Sequence, residues 1–225
     1  PLVLPEAENT EEEPTVFSSE VSRVAPTNQQ RKGDYYFMPL LGFSTASTVS
    51  VNYKNGSHEL FDELDGEFGN SVGITLGRRW DNWYADLGLS YTYQTYENPN
   101  FKDSLQVTII PSVGTEESFS LMFGGGYSVP LTDKLSHSGG FAMGASFRRN
   151  TFDATVMFPG LPPKVLDTKN ESSLVFAYDF SLGLEYLFIN NFSGYLGYKF
   201  LGMTKNKDFG SSFQHLIELG VGANF

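Results

Sequence analysis

Five stretches of this chain alternate large apolar residues with small or polar ones, and in each the second set is rich in glycine. In WYADLGLSYTYQ, from Trp83, one side carries Ala85, Leu87, Leu89, Tyr91 and Tyr93, and the other Tyr84, Asp86, Gly88, Ser90, Thr92 and Gln94. SVGITLGR sets Val72, Ile74 and Leu76 against Ser71, Gly73, Thr75 and Gly77, and FSLMFGGGYSV sets Phe119, Leu121 and Phe123 against Ser120, Met122 and Gly124. LVFAYDFSLGLEY and the closing HLIELGVGANF split in the same way. A period of two is the mark of a strand with two unlike faces. In a soluble sandwich the polar face would meet water and carry Lys, Glu and Thr. Glycine there weakens the strand and signals a crowded interior or a tight bend. A small closed barrel in a bilayer satisfies both observations: large apolar residues meet lipid, and small or polar ones fit a narrow lumen. A soluble lipocalin-like barrel, the other closed form, needs a charged outer face that these strands lack.

The composition fits this architecture. Aromatics make up 15% of the 225 residues and charged residues only 18%, as expected of many short strands joined by turns. No run of about 18 apolar residues occurs, so no transmembrane helix is expected, whereas a crossing strand needs only about 9 to 11 residues. The absence of cysteine removes disulfides and thiolate metal sites. The net charge of −11 is unevenly placed, because residues 1–20 carry six glutamates and no Lys or Arg. With Pro1, Pro5, Pro14 and Pro26, residues 1–33 read as an extended acidic arm, and residues 34–225 as the barrel. Nucleic acid is not an expected partner, since phosphate binding needs clustered basic charge. No basic and apolar leader opens the chain, as expected of a mature or leaderless polypeptide.

Three connections are short and turn-like, at Trp80–Asn82, Leu131–Lys134 and Ile189–Asn191, and four are longer and polar, roughly 45–67, 95–117, 149–172 and 203–211. Short turns at one end and long loops at the other describe an all-β, antiparallel up-and-down transmembrane barrel of eight strands with both termini in the periplasm. Leu105–Val113 and Thr151–Phe158 also alternate. They are read either as two more membrane strands, making ten, or as extensions of neighbouring hairpins beyond the membrane. Trp80, Trp83, Tyr186, Phe188, Phe192 and Phe225 fall near the short-turn end, where amphipathic rings favour the headgroup level.

The stretch SFSLMFGGGYSVPLTDKLSHSGGFAMGASF, then FSLGLEYLFINNFSGYLGYKFLG and the terminal HLIELGVGANF, resembles the small outer-membrane β-barrels of the OmpA, OmpX and opacity-protein type. The resemblance implies the outer membrane of a diderm bacterium, contact with outer-membrane lipid and lipopolysaccharide, and insertion by the barrel assembly machinery. It also makes Glu218, Gly220 and Phe225 the assembly signal. Ala223 departs from that pattern, which prefers a larger residue there.

Inside the barrel the alternation places Asp86, Arg148, Asp179, Glu185, Lys199 and Glu218, ions that must pair in a narrow interior and so are expected to form a plugging network. The alternatives are a small polar pore and a lipid-modifying enzyme, since small barrels include lipid A deacylases. A hydrolase requires a nucleophile, a base and an orienting group. His58, His137 and His215 show no such pairing with a serine on a strand, and no catalytic residue is assigned. Within HELFDELDGE, Asp62, Glu63 and Asp65 are weak candidates for a hard cation, but their spacing does not match an EF-hand and a solvated acidic loop is the commoner explanation. No cofactor is expected. The expected function is a non-enzymatic barrel that binds a partner: long-loop hairpins expose strand edges, and the acidic arm offers a contact to a protein partner or to another copy.

Overall fold

The computed structural model describes residues 34–55, 58–97, 108–157, 160–162, 164–189 and 191–225. The acidic arm assigned to residues 1–33 lies outside them. Ten strands follow one another: β1 (Tyr35–Ala46), β2 (Val49–Asn55), β3 (His58–Gly66), β4 (Phe68–Trp80), β5 (Trp83–Glu97), β6 (Thr108–Pro130), β7 (Leu135–Met157), β8 (Lys164–Ile189), β9 (Phe192–Met203) and β10 (Ser212–Asn224). Eight of them close a ring. β1 pairs with β4, pairing then runs through β5, β6, β7, β8 and β9 to β10, and β10 returns to β1, every pair antiparallel.

The eight-strand reading therefore holds for the barrel. Of the segments that suggested ten, residues 108–113 lengthen β6 and residues 151–157 lengthen β7, paired from Thr108↔Met157 down to Pro130↔Ser136; residues 105–107 lie outside the described residues. The two additional strands instead come from the first long loop, where β2 and β3 pair with each other from Val49↔Leu64 to Asn55↔His58.

The faces sort as the alternation predicts. Leu41, Phe43, Leu76, Leu87, Phe123, Phe176, Leu182 and Leu219 are exposed on the outer wall, while Ser44, Thr92, Ser118, Ser120 and Ser146 are buried inside. At about 25 cal/mol for each Å² of apolar surface, such a wall is stable only against hydrocarbon. A soluble barrel with its apolar face inside is ruled out by that inversion. The inner glycines have a specific cause: the Tyr195 ring lies where a Cβ at Gly183 or Gly197 would stand, and the Tyr36 ring occupies the same place over Gly77.

The short turns gather at one end. Asp81 adopts φ 53°, the left-handed conformation that Asp tolerates in a tight turn, and Thr132 Oγ1 accepts from the amide of Leu135 at 3.0 Å. Phe225 closes the same end, its N–H donating to the Tyr35 carbonyl at 3.0 Å and its ring stacking on Tyr35.

The opposite end is covered by the first loop, which the sequence reads only as acidic and solvated. The free edge of β2 is taken by the β9–β10 connection: Asn52 N–H donates to the Asp208 carbonyl and Gly210 N–H to that of Ser50, each at 2.8 Å. Val49, Val51, Leu64 and Phe209 thereby pack on the inward-facing Tyr96 and Phe152. The loop alternates as a strand, so its acidic positions Glu63 and Asp65 face out while Leu64 between them is buried.

Candidate functional site

The polar lumen is built in levels. Just beneath the cap, Arg148 is fully buried, with its Nε donating to Glu116 Oε2 at 2.8 Å and its Nη1 to the carbonyls of Thr204 (3.1 Å) and Gly210 (2.7 Å). Glu116 also accepts from Asn150 (3.0 Å), Ser212 (2.9 Å) and Gln214 (2.8 Å). Four donors thus converge on one carboxylate, as a buried charge requires. Below it comes an apolar layer that includes Met122, Val175, Leu201, Met203 and Leu216.

The next level opens into a cavity of about 120 Å³, with room for about four waters at roughly 30 Å³ each. Lys199 Nζ donates to Glu218 Oε1 at 3.0 Å, and Tyr36 Oη to Asp86 Oδ2 at 2.8 Å. Asp179, Tyr84 and Tyr195 line the same space. At the short-turn end Arg79 reaches Glu185 at 2.9 Å and Asn224 at 2.6 Å, and lies 4.1 Å from the centre of the Tyr36 ring. Ser193 donates to the other oxygen of Glu185 at 2.6 Å.

The six lumen charges read from the sequence all point inward but do not form one network. Only Lys199 and Glu218 pair with each other. Arg148 is held by Glu116 and Glu185 by Arg79, two partners the sequence reading missed. Continuing the alternation would have found both: Glu116 shares the parity of Ser118 and Ser120, and Arg79 that of Gly77.

The interface aromatics Trp80, Trp83, Tyr186, Phe188 and Phe192 are exposed on the outer wall beside the short turns. Arg78 stands among them, 5.2 Å from the ring centres of both Tyr35 and Trp80. In the assembly signal, Glu218 points into the lumen and Gly220 admits Leu40 and the Pro39 carbonyl, which a Cβ would crowd. Ala223 lies between two phenylalanines in register, Phe37 and Phe192.

His137 is exposed, and His215 Nδ1 sits 2.6 Å from Tyr198 Oη on the outer wall. The side chains of His58 and Asp62 lie outside the described residues. Asp65 accepts from Thr48 at 3.0 Å, and among the described residues no three His, Asp or Glu side chains converge as metal ligands.

No protein-family model and no curated protein matches the chain in sequence. Solved structures do match in shape. Neisserial surface protein A superposes with a TM-score of 0.50 at 15% identity, over 85% of this chain and 97% of that one. The outer-membrane protein OprG of Pseudomonas aeruginosa does so at 0.50 and 11%, over 88% and 99%. The chain has the fold of the small outer-membrane β-barrels. The outer-membrane protease OmpT of Escherichia coli matches equally, with a TM-score of 0.50 at 10% identity over 85% of this chain and 97% of that one, so the fold accommodates a protease as well as a surface protein. On that fold this chain carries a capped mouth, a levelled lumen and strands that outrun their neighbours in the ring.

Proposed function

We propose that this outer-membrane barrel is a non-conducting, non-enzymatic anchor for an extracellular β platform that binds an extended segment of a partner protein. The observation that carries the reading is the length of β6, β7 and β8. These strands have 23, 23 and 26 residues, against 12 in β1 and β9. At about 3.3 Å per residue, β8 runs some 40 Å along its own length past its first pair with β9, whereas β6 outruns β5 by only residues 108–112, so the three-stranded sheet overhangs the ring on its β9 side.

β9 begins its pairing with β8 only at Ala177↔Met203. From Lys164 to Asn170, β8 pairs with β7 alone and its other edge has no partner strand among the described residues. The base of this edge is stiffened by the β9–β10 connection: Lys207 pairs with Glu171 at 2.7 Å, Ser173 donates to Asn206 at 2.6 Å, and Lys169 pairs with Asp208. A stiff open edge of that length recruits an extended peptide by adding a strand. The cap and the Arg148 level favour a closed lumen over a pore. With the termini in the periplasm the platform faces outward, and the acidic arm is a second proposed contact, to an envelope protein or another copy.

Display selection of linear peptides on the nanodisc-embedded barrel, followed by amide hydrogen exchange, tests the reading. Enriched peptides that protect amides within residues 164–174 support it. No enrichment, or protection only elsewhere, refutes it.

A further inference from the structure

The lower lumen holds four carboxylates, Asp86, Asp179, Glu185 and Glu218, against two cations, Arg79 and Lys199. Glu185 and Glu218 each bind one of those cations directly. Asp86 accepts from Tyr36 through Oδ2. Asp179 shares a cation: Lys199, bonded to Glu218, also acts on it electrostatically. It is 6% exposed, borders the cavity, and among the described residues makes neither a hydrogen bond nor a direct ion pair of its own. A carboxylate buried to that extent calls for a counter-charge.

We propose that this cavity binds a short aliphatic diamine, with one ammonium on Asp179 and the other on Asp86. The charge excess of the level is two, which a diamine cancels. A hard metal ion fits poorly, since calcium takes six to eight oxygens and no three of these acidic side chains converge. Tyr36, Tyr84 and Tyr195 line the same space and add phenol oxygens that can accept from an ammonium group. Met38, Leu40 and Met122 supply an apolar wall for the methylene chain. The cavity extends to Ser128 and Ser138, which pair with each other two residue pairs short of the β6–β7 turn, while the far end is sealed by the cap. The amine therefore enters at the short-turn end, past Arg79.

Titration calorimetry on the full chain in detergent micelles tests the site with three probes at matched ionic strength: 1,4-diaminobutane, 1-butanamine and calcium chloride. Saturable binding of diaminobutane, tighter than that of butanamine, is expected. D179N should weaken it by roughly ten- to a hundred-fold, the worth of one charge-assisted contact. The exposed substitution E117Q, outside the cavity, should leave it unchanged. D86N repeats the test if D179N does not reach the folded form, judged by its shift on unheated gels. Absence of saturable heat with the native chain, undiminished affinity in the folded variant, or equally tight calcium binding lost with the same carboxylate would overturn the proposal.

Discussion

Replacing Arg148 by methionine removes the cation at the centre of the upper lumen while keeping an unbranched apolar stem in its place. Glu116 then stays buried with its charge, but it keeps three neutral donors, from Asn150, Ser212 and Gln214. That residual solvation puts the cost near the lower end of the range for breaking a buried pair, about 3 kcal/mol. The reverse change, E116Q, leaves Arg148 with the carbonyls of Thr204 and Gly210 and should cost about 1–2 kcal/mol. In the double variant neither charge is stranded, so its cost should fall below the sum of the two by about 1.5 kcal/mol or more. Urea titration of the barrel in lipid vesicles measures all three, using the fluorescence of Trp80 and Trp83, which lie at the far end and report unfolding of the ring. R148M should also sensitise residues 205–210 to protease, because the guanidinium ties both shoulders of that connection. Additivity of the single costs to within about 0.5 kcal/mol, or a cost of R148M below about 1 kcal/mol, would show that the pair does not hold this level together.

The glycine face makes a second test. G183V thrusts a branched side chain into the Tyr195 ring and should lower the folded fraction after insertion into vesicles, whereas G183V combined with Y195A should regain much of it; equal yields for the two would refute the packing argument. L64D places a charge at a fully buried position of the cap, at a cost of about 3 kcal/mol or more, and should raise amide exchange across β2 and β3 without moving the thermal midpoint of the ring. Planar-bilayer recordings of the native chain should show no reproducible single-channel steps. F225A should slow insertion by the assembly machinery, because it removes the ring stacked on Tyr35, while A223Y should be tolerated on the outer wall; normal insertion of F225A would remove Phe225 from the signal.

The ring was legible because its physics is local. Whether Leu87 meets lipid and Asp86 the lumen is decided by parity along one strand, and a one-residue slip would reverse every side chain together. Strand number was less so, since the alternation of Thr151–Phe158 is the same whether it crosses a bilayer or climbs above it. Only the pairing of β6 with β7 decides between the two. The cap was hidden for a different reason. HELFDELDGE draws the eye to its carboxylates, yet the residue that matters is Leu64, whose burial depends on Tyr96, Phe152 and Phe209, each from another part of the chain.

The lumen charges fall between these cases. Parity marked Asp86, Arg148, Asp179, Glu185, Lys199 and Glu218 as inward, but it carries no height, and height assigns partners in a tilted barrel. Arg148 and Lys199 share a lumen with several carboxylates, yet the apolar layer containing Met122, Leu201 and Leu216 separates their levels, so each is matched only to what its own level offers. The upper level is balanced by one cation and one anion, whereas the lower is not. An imbalance of that kind cannot be read from a chain-wide charge count, because it arises only when strand tilt and register sort the inward residues by depth. It is also why Asp179, one of six similar charges in the sequence, becomes the carboxylate that among the described residues has no direct ion pair and only a share of Lys199.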